Sequence, residues 1–161
     1  MKKGLIAAAA ALIVAAIAYA TLFAGNPAPK VSYASLQGRT ASTDSLKGKV
    51  VLVNFWATSC PGCVEEMPEI KKLHQDYAGK GLQVMAVAMS YDPPDYVKNF
   101  VAKYQLPFFV ALDPQGDIAK AYGDIQLAPT TFLIDKQGNI VKRYVGVMNF
   151  AEVRKLIEQQ L

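Results

Sequence analysis

The stretch Val50-Val51-Leu52-Val53-Asn54-Phe55-Trp56-Ala57-Thr58-Ser59-Cys60-Pro61-Gly62-Cys63-Val64-Glu65-Glu66-Met67-Pro68 decides the fold of this chain. It opens on an apolar, β-branched run that reads as a buried strand over Val50–Phe55. A turn follows, and then a helical pattern. Pro61 suits a first helical turn, where its missing N–H is not needed. Val64, Met67, Ile70, Leu73 and Tyr77 recur at helical spacing, and Gly79-Lys80-Gly81 ends the run near Tyr77. Pro68 predicts a kink. The only two cysteines, Cys60 and Cys63, stand at the junction of strand and helix. A helix N-terminus offers unpaired N–H groups and the positive end of the helix dipole, both of which stabilise a thiolate. Such sites lower a cysteine pKa from ~8.5 into the range ~3.5–7.5.

Downstream, Leu82–Met89 is a second apolar run, buried in type and so parallel to the first strand. Ser90–Pro94 reads as a loop, Asp95–Tyr104 as a helix and Phe108–Val110 as a short strand. A turn at Asp113-Pro114-Gln115-Gly116 leads to a short helix over Asp117–Tyr122. Thr130–Asp135 and Asn139–Val147 form a hairpin about Lys136-Gln137-Gly138, and Phe150–Gln160 closes the chain as a helix. Upstream, Val31–Lys49 carries turn residues and a hairpin about Gln37-Gly38-Arg39. The order predicts an α/β fold, a mixed central sheet flanked by helices.

Residues 26–30, Asn-Pro-Ala-Pro-Lys, read as a short stiff linker ahead of a single domain over 31–161. Residues 1–25 read as a signal anchor or signal peptide. Gly4–Ala24 is a run of 21 uncharged residues after Lys2 and Lys3. As a helix it would be about 31 Å long, enough to span a bilayer. Ala18-Tyr19-Ala20 would serve as a cleavage site in the alternative of a soluble exported protein. No cysteine follows the segment, which excludes a lipid-anchored cysteine. Either way the domain is expected outside the cytoplasm, where disulfides persist.

The formal charge of +4 does not indicate nucleic-acid binding: beyond Lys30 the balance is 14 basic to 13 acidic residues. Two cysteines and one histidine fall short of the ~4 ligands of a structural zinc site, and Val64 breaks the CxxCH of haem attachment. A static disulfide is the plain alternative, but a bridge across a two-residue gap constrains the unfolded chain little.

Phe55-Trp56-Ala57-Thr58, Cys60-x-x-Cys63, Glu66, Pro68 and the distant Ala128-Pro129-Thr130-Thr131-Phe132-Leu133-Ile134-Asp135 together resemble the thioredoxin superfamily. More narrowly they resemble its membrane-tethered, extracytoplasmic TlpA/ResA-like branch, over roughly residues 31–161. Ser59 departs from the tryptophan usual there. The resemblance implies a thioredoxin-like fold with an N-terminal hairpin and a central insertion. It implies a thiol-disulfide oxidoreductase that reduces disulfides of exported proteins, and a monomer is expected. Apocytochrome c is one family substrate, so a role in cytochrome c biogenesis is implied, with electrons from a membrane thiol donor. No organic cofactor and no metal is implied. The place would be the bacterial inner membrane, with the domain in the periplasm or outside.

Cys60, first at the helix start, is expected to be the exposed nucleophile. Cys63, nearly one turn in, is expected to be the resolving thiol of a redox-active disulfide. Pro61 stiffens the turn between them. The resemblance makes Pro129 a cis-proline beside the nucleophile, presenting the Ala128 backbone to a substrate segment. Trp56 is expected to pack against the turn and shape the docking surface, with plain core packing as the alternative. Glu66 shares the side of Cys63 on the helix. The resemblance favours it as a functional carboxylate, in a chain where Asn54 replaces the buried aspartate of thioredoxins proper. Other readings stay open: an oxidising or isomerising relative, a peroxiredoxin-like peroxidase suggested by Thr58-x-Cys60, and a peptide-binding module with an inert disulfide.

Overall fold

A computed structural model describes residues 25–161 together with Val14. Apart from Val14, the expected membrane segment therefore lies outside the described residues. Among the described residues no helix is long and apolar enough to cross a membrane.

Five strands form the central sheet: β3 (Val50–Trp56), β4 (Leu82–Ala88), β5 (Phe109–Leu112), β6 (Thr130–Ile134) and β7 (Ile140–Val145), in the order β5-β4-β3-β6-β7. β3 runs parallel to β4, and β4 to β5, while β6 is antiparallel to both β3 and β7. β3 sits in the middle and is buried along its whole length. That explains why its sequence is a continuous apolar run rather than an alternation. A separate hairpin, β1 (Ser32–Ala34) with β2 (Thr40–Ser42), turns through Gly38, whose φ of 75° favours glycine.

Side chains alternate across β3. Val50, Leu52 and Trp56 enter one core layer with helices α1 (Pro61–Tyr77), α2 (Pro94–Tyr104) and α4 (Phe150–Gln160). Val51, Val53 and Phe55 enter the other, with Tyr33 of the hairpin and Ile118 and Ala119 of α3 (Asp117–Ala121). Helices thus cover both faces, as expected. Asn54, between Phe55 and Val53, falls on the α1 side.

α1 continues through Pro68 as one helix, with Met67, Ile70, Leu73 and Tyr77 buried. Val64, placed in the same stripe, is only partly buried. On α2 only Val97 is fully buried, and Tyr96 and Tyr104 face outward despite their helical spacing. Asn26–Lys30 does not hang free in its described form. Asn26 O accepts from Ile140 N–H, Ala28 N–H donates to Gly138 O at 2.9 Å, and Ala28 is buried.

Candidate active site

β3 delivers the chain to the turn at Ala57–Ser59, and α1 begins immediately after it. Cys60 is the N-cap of α1, with extended backbone (φ −95°, ψ 109°). Its Sγ accepts from Cys63 N–H at 3.2 Å. The sulfur therefore holds one of the orphan donors of the helix start, the environment that favours a thiolate. Cys60 and Cys63 are joined as a disulfide, with Cα atoms 5.3 Å apart. Cys60 is partly exposed and Cys63 is 0% exposed. The sequence expectation of an outer and an inner sulfur matches this asymmetry.

The loop before β6 closes over the outer sulfur. Sγ of Cys60 lies 3.4 Å from Ala128 O. The Ala128–Pro129 peptide is cis, Ala128 is partly exposed and Pro129 is buried. Pro61, next to Cys60 in the chain, is exposed. A Cβ placed on Gly62 would stand 3.0 Å from Cγ2 of Val147, so the β7–α4 loop packs tightly on the turn at that point. Leu127 and Val147 are exposed apolar side chains beside it.

Below the disulfide sits Glu66, one turn beyond Cys63 and only 1% exposed. Asn54 Nδ2 donates to its Oε1 at 2.8 Å and to Thr131 Oγ1 at 2.9 Å. Met148 N–H reaches Oε2 at 3.4 Å. Burial pushes the carboxyl up to about 7, against the partial relief given by the Asn54 and Met148 donors. A carboxyl at that value exchanges a proton near neutral pH. The alternation of β3 aims Asn54 at α1, and the β3–β6 register pairs Asn54 with Thr131. Asn54 of β3 and Met148 of the β7–α4 loop thus meet at the Glu66 carboxylate, and Thr131 of β6 accepts the other hydrogen bond of Asn54.

One expectation is corrected. Trp56 does not form part of an outer docking surface. It is 0% exposed and packs on the Phe100 ring of α2 with centroids 5.1 Å apart. As an even-numbered residue of β3 it must point into the α1 layer, where a substrate cannot touch it. His74 is partly buried against Phe108, and that burial holds its pKa down. Sequence reading passed over Thr131, Met148 and Asp92. Thr131 carried a signal: it and Asn54 are polar residues inside two strands buried along their whole length. Asp92 lay in a stretch read only as a loop. Its carboxylate accepts from Thr58 N–H and from Thr58 Oγ1, each at 2.6 Å. Among the described residues no group of three or more His, Cys, Asp or Glu side chains converges as metal ligands would.

The arrangement can exchange a disulfide between an accessible sulfur and a buried one, with a titratable acid underneath. Comparison with known proteins agrees. The Redoxin family profile matches residues 23–157. The thiol-disulfide oxidoreductase ResA of Bacillus thuringiensis subsp. konkukian is 38% identical over 136 residues, which are 84% of this chain and 77% of the relative. That of Halalkalibacterium halodurans is 37% identical over 84% of this chain and 76% of its own length. Among solved structures, a thioredoxin-family thiol:disulfide interchange protein from Chlorobium tepidum superposes with a TM-score of 0.77 at 29% identity, over 84% of this chain and 96% of that one. With that match in sequence, fold and CxxC disulfide, the chain belongs to the Redoxin family, in the ResA-like branch of the thioredoxin superfamily, and is a thiol-disulfide oxidoreductase.

Proposed function

We propose that this chain is an exported, membrane-tethered reductant of protein disulfides, with Cys60 as the attacking sulfur and Cys63 as the resolving one. The observation that carries the reading is the asymmetry of the pair: a partly exposed Cys60 at a helix N-cap above a fully buried Cys63 and Glu66. The Cys60 thiolate attacks one sulfur of a substrate disulfide. A mixed disulfide forms, and the first substrate sulfur leaves as a thiolate that takes a proton from solvent. Cys63 then loses its proton to Glu66 and attacks the Cys60 sulfur. The second substrate thiolate leaves, and the Cys60–Cys63 disulfide remains. Two electrons have passed to the substrate, and a dithiol donor at the membrane restores the pair.

Pro61, Ala128 and Pro129 form the lip on which the substrate segment lies. The partly exposed Ala128 backbone, close to Cys60 Sγ, suits strand-like pairing with an extended segment. Apocytochrome c, with its reducible haem-site cysteines, is the substrate favoured by the resemblance to ResA. The 21 uncharged residues of Gly4–Ala24 support the tether, and the same run supports placing the domain in the periplasm or outside.

Trapping tests the assignment of the sulfurs. Cys63→Ser should accumulate mixed disulfides through Cys60, and Cys60 should be alkylated first in the reduced protein. Partners captured by Cys60→Ser and not by Cys63→Ser would reverse the roles. Insulin reduction by the prereduced protein in detergent separates an active exchanger from an inert peptide binder.

A further inference from the structure

The turn that carries Cys60 is held from outside by a carboxylate. Asp92 lies in the loop between β4 and α2 and is 5% exposed. Its two oxygens take the N–H and the hydroxyl of Thr58, each at 2.6 Å. The loop is pinned to the same strand end, since Met89 N–H donates to Trp56 O at 2.9 Å and Asp92 N–H to Met89 O at 3.0 Å. No lysine or arginine among the described residues pairs with Asp92. It is a buried carboxylate whose hydrogen-bond donors come from the turn before the outer cysteine.

We propose that Asp92 is a positioning and charge-setting residue for the Cys60–Cys63 couple, fixing the turn through Thr58 and making the couple a stronger reductant than the helix start alone would. Thr58 precedes Cys60 by two residues in a turn closed by Cys60 N–H donating to Ala57 O at 3.2 Å, which puts the carboxylate on the order of 10 Å from Sγ. At that range, with one group buried and the other partly exposed, a negative charge is worth roughly three- to tenfold in an equilibrium constant. The helix start and Cys63 N–H stabilise a thiolate on Cys60. Asp92 opposes them. A less stable thiolate makes the dithiol state less stable against the disulfide, and the couple gives up electrons more readily.

Other titratable groups surround this turn. Tyr91 lies on the same loop, and its hydroxyl is held above its ordinary value by partial burial and then by the Asp92 charge. Glu66 lies below on α1. Tyr96 and Lys103 of α2 line the same cleft as Thr58. The Lys103 ammonium sits over the Tyr104 ring, 5.3 Å from its centre, and forms no ion pair with Asp92.

The inference rests on the thiolate forming at Cys60. The equilibrium of the couple does not depend on which sulfur attacks a substrate, so its test and the trapping test fail separately. Asp92→Asn removes the charge and keeps the shape: the amide oxygen can accept Thr58 N–H, and the amide nitrogen can donate to Thr58 Oγ1. The full-length protein in detergent is equilibrated with glutathione at a pH above the Cys60 pKa, and that pKa is read from alkylation rates. The variant should hold three- to tenfold more dithiol than the parent at equal glutathione, which is about 14–30 mV upward for a two-electron couple. Its Cys60 pKa should fall. Thr58→Val, which removes the hydroxyl but leaves the charge, should stay within twofold of the parent. If Asp92→Asn does not fold, Asp92→Ser carries the same expectation. A folded charge-free variant within twofold of the parent overturns the inference, and so does a Thr58→Val shift as large as that of Asp92→Asn, which would assign the effect to turn geometry alone.

Discussion

Glu66 is a buried carboxyl whose ionisation bears on stability and, as the proposed base of the resolving step, on turnover. Its carboxyl stands at about 7 in the fold against an ordinary value of 4.5. At low pH it is neutral in folded and unfolded chains alike, and its burial carries no charge cost. As pH rises, the unfolded chain ionises first. Stability then falls until the folded carboxyl ionises too, near the value of about 7 given by its burial. The total is on the order of 3 kcal/mol. Urea titrations of oxidised Glu66→Gln should lack this fall between acid and neutral pH, whereas curves parallel to the parent would place the titration elsewhere. In turnover the sign is reversed, because a base must be ionised to work. Parent turnover should rise with pH through about 7. Glu66→Gln should flatten the profile and slow release of the mixed disulfide by at least about tenfold, with little effect on its formation. Equal loss in both steps, measured by rapid quench, would make Glu66 structural. The spacing Cys63-x-x-Glu66 put the residue on the side of Cys63, and the family resemblance, not the spacing, favoured it as a functional carboxylate. Its partners were not legible, because Met148 is 82 positions away in sequence and only the fold brings it there.

Among the elements, α1 and β3 were the most legible. α1 begins at Pro61 and ends at Tyr77, as its proline, apolar spacing and following glycines predict. α2 was legible as a helix but not in its exposure. Amphipathic spacing does not say how wide a face the neighbours cover, and Tyr96 and Tyr104 fall outside the covered part. The start of α4 bears on the site more than a closing helix would suggest. Asn149 is its N-cap and accepts from Ala151 N–H and Glu152 N–H. The preceding residue, Met148, is the one whose N–H reaches Glu66. Asn149→Ala should cost about 1 kcal/mol, read as a fall in Tm of about 3–6 °C. Loosening the Met148 donor should also move the midpoint of the turnover profile upward. A Tm change without that movement would confine Asn149 to capping.

For the whole molecule, the layered architecture followed from the order of strand and helix signals, and the cis peptide at Pro129 followed from family resemblance rather than from composition. The leader belongs to this scale too. Full-length protein should remain with membranes through alkaline extraction, because Gly4–Ala24 is 21 residues without a charge and long enough to span a bilayer. Mature protein beginning at Thr21 in the soluble exported fraction would overturn the tether.

The N-terminal segment also changes what the sheet can present to other chains. Leu36 N–H donates to Val110 O at 3.1 Å, and Ser35 bridges Ala111, so the outer margin of β5 is occupied. At the opposite margin, Asn26 takes Ile140 N–H and Pro27 bridges Asn139, while Lys142 and Arg143 place charge along the rest of β7. Unpaired strand margins recruit other strands and seed aggregation. An exported reductant of protein disulfides, as proposed above, would meet such strands in its substrates. With both margins obstructed, the backbone stretch at Ala128, proposed above as the place where a substrate segment pairs, is left without a competing strand margin on the sheet.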